Sequence, residues 1–274
     1  MSHLTTSKET PSADPQAESD PSGIGIDQVG IDQVRYPVLI SGWENSPDRQ
    51  EVKEGLFSMN VSLAADKRGI HMSRLLENLN HWEKPLSPCS MPTLLSEIRE
   101  QQNALTASIT CSFTWFIQRP SPQTELPAWQ GIETTWHATI DDCGVGTTGY
   151  TLRIPVTTLC PCSRDISDYG AHSQRGWVKV TINWQAHDTI VAPQEIFEKL
   201  QHAGSAPIYP LLKRADERHV TMLAYEQPAF VEDTIRKAAL MLRKDARIPG
   251  FTLHICNEES IHTHDAIASL SYTR

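Results

Sequence analysis

The sequence predicts an α+β fold made of two fused copies of one architecture. Two observations lead there. Beyond residue 24 the apolar pattern runs strand, strand, helix, helix, strand, strand, and that order then repeats. A third observation sets the scale: 274 residues, 39% of them hydrophobic, can bury a sizeable core. The expected organisation is a disordered polar tail over 1–24, a first module over 25–142 and a second over 143–274.

The tail is rich in Ser, Thr, Pro, Asp and Glu and carries too little apolar surface to offset its ordering entropy. Gly25–Val29 (GIDQV) is immediately duplicated as Gly30–Val34, which reads as a lead-in segment. In the first module, 34–41 and 56–63 read as strands; in the second of these, Phe57, Met59, Val61 and Leu63 alternate with polar neighbours. Helices follow over 72–82, with Leu75, Leu76 and Leu79 on one face, and over about 93–105. Strands over about 106–117 and 131–141 close the module. In the second module the strands are 149–157 and 177–184. The helices are 193–203, with a proline tolerated in the first turn, and 230–244, with Val231, Ile235, Ala238 and Leu242 on one face. The closing strands are 251–256 and 266–272.

Composition excludes several functions. The net charge of −9 argues against a broad basic surface for nucleic acid or anionic membrane, while leaving room for a local basic pocket. No apolar run reaches the length of a membrane-spanning helix, and the N-terminus lacks the apolar stretch of a signal peptide. A cytoplasmic, reducing location is the expectation. There the six cysteines serve as metal ligands, catalytic groups or buried thiols rather than disulfides.

The chemistry concentrates in a few motifs. Cys160-Pro161-Cys162 follows a strand directly, and the proline ends that strand. A spacing of one residue is awkward for two ligands of one tetrahedral metal, so one thiolate is expected to bind metal and the other to face substrate. Two buried structural thiols would explain the pair, taken alone, equally well. His172, in Gly170–Arg175, returns at a loop–strand boundary twelve residues after Cys160. Lys213–Val220 packs charges of both signs together; taken alone it reads as a solvated loop, but Glu217 could ligate metal and Lys213, Arg214 or Arg218 could hold phosphates. Glu232 and Asp233 open the last helix, where acids suit the helix dipole. Glu232 could instead accept two hydrogen bonds from a guanidine-like edge. Asn257–Asp265 joins the last two strands and carries Glu258, Glu259, His262 and His264; Glu259 and His262 are acid–base candidates. Lys67–Arg74 leads into the first helix, where backbone N–H groups with Lys67 and Arg74 suit a phosphate.

Together these segments resemble the type IB GTP cyclohydrolases, a prokaryotic family of the tunnelling fold. The resemblance spans about Asp32 to Ser271. It rests on Val34–Pro37 (VRYP), Lys67–Arg74 (KRGIHMSR), Cys160–Ser163 (CPCS), Gly170–Arg175 (GAHSQR), Leu212–Glu217 (LKRADE), Phe230–Asp233 (FVED) and Glu259–His262 (ESIH). It implies two modules, each a four-stranded antiparallel sheet with two helices on one face, and a homotetramer with active sites where subunits meet. It implies conversion of GTP and water to 7,8-dihydroneopterin triphosphate and formate, the first step towards tetrahydrofolate. It implies one divalent metal, Zn2+, Mn2+ or Fe2+, held by Cys160, Glu217 and His172. Cys162 is then placed near the reacting carbon, His262 and Glu259 at proton transfer with the two histidines interchangeable, Glu232 at the guanine edge, and Lys67, Arg74, Lys213 or Arg214 at the triphosphate. A related enzyme acting on another pterin or a 7-deazapurine is the neighbouring alternative, and a thiol-based metal or redox sensor the alternative of a different class.

Overall fold

The computed structural model describes residues 15–41, 50–185 and 188–274. The strands are β1 (Ile26–Ser41), β2 (Gln50–Leu63), β3 (Ala107–Pro120), β4 (Pro127–Ile140), β5 (Gly146–Leu159), β6 (Ser173–Gln185), β7 (Ala206–Pro207), β8 (Gly250–Asn257) and β9 (Ala266–Thr273). The helices are α1 (Met72–His81), α2 (Met91–Gln102), α3 (Pro161–Ile166), α4 (Pro193–Leu200), α5 (Arg214–Glu226) and α6 (Val231–Arg243).

The expectation of two separate four-stranded sheets is corrected. All nine strands belong to one sheet, in the order β1-β2-β3-β4-β5-β6-β8-β9, with β7 paired to β5. The reason lies at the middle of the chain. The 141–145 turn is short, with Gly144 at φ +77° and the Val145 N–H bonded to Asp141 Oδ1 at 2.7 Å. It sends β5 straight back along β4, so that Glu133–Ile140 pair with Gly146–Arg153. Two strand edges that would otherwise expose unpaired backbone groups satisfy each other.

One face of this sheet is buried across its central strands. Met59, Ile109 and Ala138 lie in register across β2, β3 and β4, and Leu152, Val180 and Leu253 across β5, β6 and β8. The helices supply the other side of the core, with Leu94, Leu95 and Ile98 of α2, Ile196 and Phe197 of α4, and Ala238 and Leu242 of α6 fully buried. Buried polar groups on this face find partners among the helix connections: Tyr150 donates to the Val191 carbonyl at 2.7 Å and Trp184 Nε1 to the Arg247 carbonyl at 3.0 Å. The opposite face carries hydroxyls and charges.

Further departures from expectation have local causes. The duplicated GIDQV lead-in is part of β1, which shifts register between Ile26 and Val29 and between Ile31 and Val34, with Gln33 at φ +58°. Gly30 is required there, because a Cβ would sit 1.9 Å from the Met59 carbonyl oxygen. The charged segment from Lys213 is a helix (α5), not a loop. Its apolar stripe is weak because its buried residues are only Asp216 and Ala224. The short α3 starts at Pro161, where the sequence suggests only a strand end. Of the expected tail, residues 1–14 lie outside the described residues. The part from Pro15 contacts the body through the Asp20 N–H to the Asp66 carbonyl and the Arg68 N–H to the Glu18 carbonyl, each 3.1 Å.

Candidate active site at one end of the sheet

Strand direction sorts the motifs. β5 and β8 end, and β6 and β9 begin, at the same end of the sheet. Cys160, His172 and the 258–265 loop therefore meet there. The Cys160 N–H bonds the His172 carbonyl at 3.1 Å, and the Glu258 N–H bonds the Arg175 carbonyl at 2.9 Å. The Ala229 N–H bonds the Leu159 carbonyl at 3.0 Å, which seats the start of α6, and with it Glu232, beside the strand that leads into Cys160.

At this end His172 is half-buried and Glu259 approaches its Nδ1 at 3.9 Å. His172 Nδ1 lies 2.9 Å from Gln174 Oε1, and Gln174 Nε2 lies 3.5 Å from Glu259 Oε1. With both partners on the Nδ1 side, the protonated nitrogen is Nδ1 and Nε2 keeps its lone pair for a metal or a proton. The carboxylate beside His172 is thus Glu259, while His262 stacks on His264 at 5.1 Å in the exposed part of the loop. Ser163 fixes the turn from within: its hydroxyl donates to the Cys160 carbonyl at 3.1 Å and accepts the His172 N–H at 3.2 Å. Cys162 is exposed on α3.

The start of α5 lies at the same end of the sheet but is anchored elsewhere. Asp216 is fully buried and accepts the Gln123 N–H at 2.7 Å, the Thr124 N–H at 2.9 Å, the Thr124 hydroxyl at 2.6 Å and the Lys213 N–H at 2.9 Å. Burial opposes its ionisation, but these donors outweigh burial and hold the carboxyl well below the usual carboxylate range. Lys213 and Arg214 are exposed above this anchor. The far end of α5 reaches α3, where Arg164 donates to the Tyr225 carbonyl at 3.3 Å. Glu217 sits eight residues before Tyr225, roughly 12 Å back along the helix axis.

Lys67 and Arg74 lie at the opposite end of the sheet. They follow the end of β2, which coincides with the start of β3 and the end of β4. Lys67 Nζ bonds the Asn103 carbonyl at 3.5 Å and Arg74 the Gln101 carbonyl at 3.3 Å. The length of β5 separates them from Cys160, on the order of 45 Å.

The donors fit a divalent metal in kind: a thiol, an imidazole and a carboxylate. In position, a single chain leaves the set open. Among the described residues, the trio of ligand atoms lying within 4.8 Å of one another is that of Asp141, Asp142 and Cys143, all exposed in the turn at the far end of the sheet.

Some site residues are missing from the sequence reading. Gln174 bridges His172 and Glu259, and its signal was available as a polar residue two positions from His172 on an extended segment. Asp216 was hidden by its own charged motif. Arg119, 6% exposed, bonds Gln130 at 2.9 Å, Gln201 and the Ile208 carbonyl, and stacks on Tyr209 at 4.0 Å, which fixes the approach to α5. Nothing in its sequence neighbourhood marks it. Two buried oxygens, Thr158 Oγ1 and Asn257 Oδ1, have no hydrogen-bond partner, and a Cβ at the intervening Gly176 would touch both side chains at 3.0 Å.

The fold places the chain in a known structural class. It is similar to the uricase from Arthrobacter globiformis, with a TM-score of 0.53, 9% identity and coverage of 92% of this chain and 94% of that one. The urate oxidase from Bacillus subtilis 168 gives 0.51 at 10% identity, covering 90% and 98%. At such identity the likeness is one of fold alone. Sequence comparison is more specific. The family model described as type I GTP cyclohydrolase folE2 matches residues 13–268. GTP cyclohydrolase FolE2 of Macrococcus caseolyticus is 39% identical over 254 residues, covering 91% of this chain and 84% of the relative. That of Kosmotoga olearia is 34% identical over 264 residues, covering 94% and 97%. The chain belongs to the type I GTP cyclohydrolase FolE2 family.

Proposed function

We infer that this protein is a GTP cyclohydrolase I of type IB, which converts GTP and water to 7,8-dihydroneopterin triphosphate and formate at the start of folate biosynthesis. Family membership over nearly the whole chain carries the activity. The meeting of Cys160, His172 and Glu259 at one end of the sheet supports the location.

The division of labour follows from the positions of the groups. Cys160 and His172 Nε2 would hold the metal, with Glu217 as a further ligand. Held there, a divalent metal would supply an activated water for attack on guanine C8. Glu259, next to His172, takes and returns the protons that ring opening and formamide hydrolysis require. His262, in the exposed part of the loop, is the second proton carrier and serves the later ribose rearrangement and ring closure. Cys162 faces the reacting carbon. Glu232, at the start of α6, accepts two hydrogen bonds from the guanine edge. Lys213 and Arg214 hold phosphates at the start of α5.

Lys67 and Arg74, at the far end of the sheet, reach such a site only from a neighbouring chain. This supports a homo-oligomer, a tetramer by family resemblance, with sites shared between subunits. The metal is zinc, manganese or iron, and the setting cytoplasmic. Among the described residues no helix is long and apolar enough to cross a membrane.

The test is to incubate metal-reconstituted protein with GTP and follow dihydropterin absorbance and formate, with an EDTA-treated control. Metal-dependent formation of both is expected. Formate without pterin would mark an enzyme that stops after ring opening, and no turnover with any divalent metal would overturn the assignment.

A further inference from the structure

The helix-free face of the sheet holds a cavity of about 770 Å3 between β1 and β6, a volume suited to a small metabolite. Its floor is a row of hydroxyls in register: Ser112, Thr135 and Thr151 on three successive strands. Ser112 and Thr135 are 2.8 Å apart, and Thr151 continues the row to Thr181, also at 2.8 Å. The charged residues of the lining are Arg35, Lys53, Arg153 and Lys179 against Glu54 and Glu133.

Both carboxylates are already committed. Glu54 pairs with Arg35, and Glu133 pairs with Arg153 at 2.6 Å. Lys53 lies 2.5 Å from Glu51 and over the Phe116 ring. That leaves Lys179 as the cation of the lining with no carboxylate partner among the described residues, beside Arg153, which Glu133 and the Trp177 ring hold in place. Arg153 and Lys179 are directly opposite each other on β5 and β6, and among the described residues Lys179 has no hydrogen bond or ion pair. Like charges placed directly opposite on neighbouring strands repel. A chain of net charge −9 has ample carboxylates, yet among the described residues none answers Lys179.

We propose that this cavity is a second binding site, for a small phosphorylated anion. Arg153 and Lys179 grip the phosphoryl oxygens, and the hydroxyl row donates from below. The site is separate from Cys160, His172 and Glu259 and does not depend on their assigned roles.

Isothermal calorimetry on the full chain tests it, with inorganic pyrophosphate in one arm and adenosine diphosphate in the other. Saturable binding of either is expected in a Lys213→Gln/Arg214→Gln background as well as in the parent protein. Pyrophosphate binding means that the phosphoryl groups suffice; binding of the nucleotide alone means that the phosphate arrives on a larger metabolite. Lys179→Gln should weaken binding about tenfold, and Lys179→Glu should weaken it further. Among the described residues Lys179 has no partner to lose, so either change is expected to leave the fold intact, as far-UV circular dichroism would show. No saturable binding of either probe, binding indifferent to Lys179, or binding lost with Lys213 and Arg214 would each overturn the proposal.

Discussion

The two ends of the sheet carry similar residue types and use them differently. At the 141–145 end, Lys67 and Arg74 are tied to carbonyls at the end of α2, and Asp141, Asp142 and Cys143 sit exposed in a tight turn. At the other end, Cys160, His172 and Glu259 come from three different strand ends; the Cys160 N–H bonds the His172 carbonyl, and Gln174 bridges the His172 and Glu259 side chains. Composition would rank the two ends alike, since each offers a thiol, acids and bases. What separates them is origin. The Asp141–Cys143 trio is contiguous in sequence and answers only to its turn, whereas the Cys160 set exists only because separate strands finish together.

The sharpest way to break this comparison is to remove donors at both ends. Cys160→Ala or His172→Ala should lower turnover by roughly 10^3-fold or more with the far-UV circular dichroism unchanged. Cys143→Ala should leave formate release within about twofold. Comparable losses at both ends would remove the distinction.

Glu259→Gln should cost about 10^2–10^4-fold in kcat, the range for a positioned acid–base group. Gln174→Leu, which frees the His172 tautomer, should cost about 10–100-fold. A larger loss in His262→Ala than in Glu259→Gln would transfer the principal proton-transfer role to the exposed part of the loop.

Lys67→Ala/Arg74→Ala should raise KM about tenfold or more while changing kcat less. Mixed and reassembled with Cys160→Ala chains, it should show more activity than the two parents together, because one intact site forms between unlike subunits. Strictly additive activity would place those cations outside the shared site.

The smallest effect on turnover is expected at Asp216. Its folded pKa is depressed, so its contribution to stability is present above the unfolded value near pH 4 and is lost as pH falls towards the folded value. Asp216→Asn should therefore melt at a lower temperature than the parent at pH 7, with the gap closing below about pH 4. A gap that widens with acid would contradict the hydrogen-bond account.

Much of the second half was legible because its motifs are dense and its strands alternate cleanly. Cys160, His172 and Glu259 were all visible as chemistry-bearing residues, and they do meet. That Glu259 approaches His172 was not legible, because it depends on β6 and β8 lying side by side in one register. α5 was masked by its own charges, since a helix pinned by a buried Asp216 shows little apolar stripe. The single sheet was missed because a two-module pattern says nothing about whether β4 and β5 pair.

By itself the sequence determined most of the strands and helices (α3 and α5 excepted), which face of each is apolar, which family the motifs resemble and which residues can carry metal and proton chemistry. These are local properties, written in periodicity and side-chain type. The tertiary structure alone decided that the halves share one sheet, that Lys67 and Arg74 stand a strand's length from Cys160, and that Lys179 faces Arg153 with no counterion among the described residues. Those facts follow from strand direction and register, set by hydrogen bonds between residues far apart in the chain, and no local pattern encodes them.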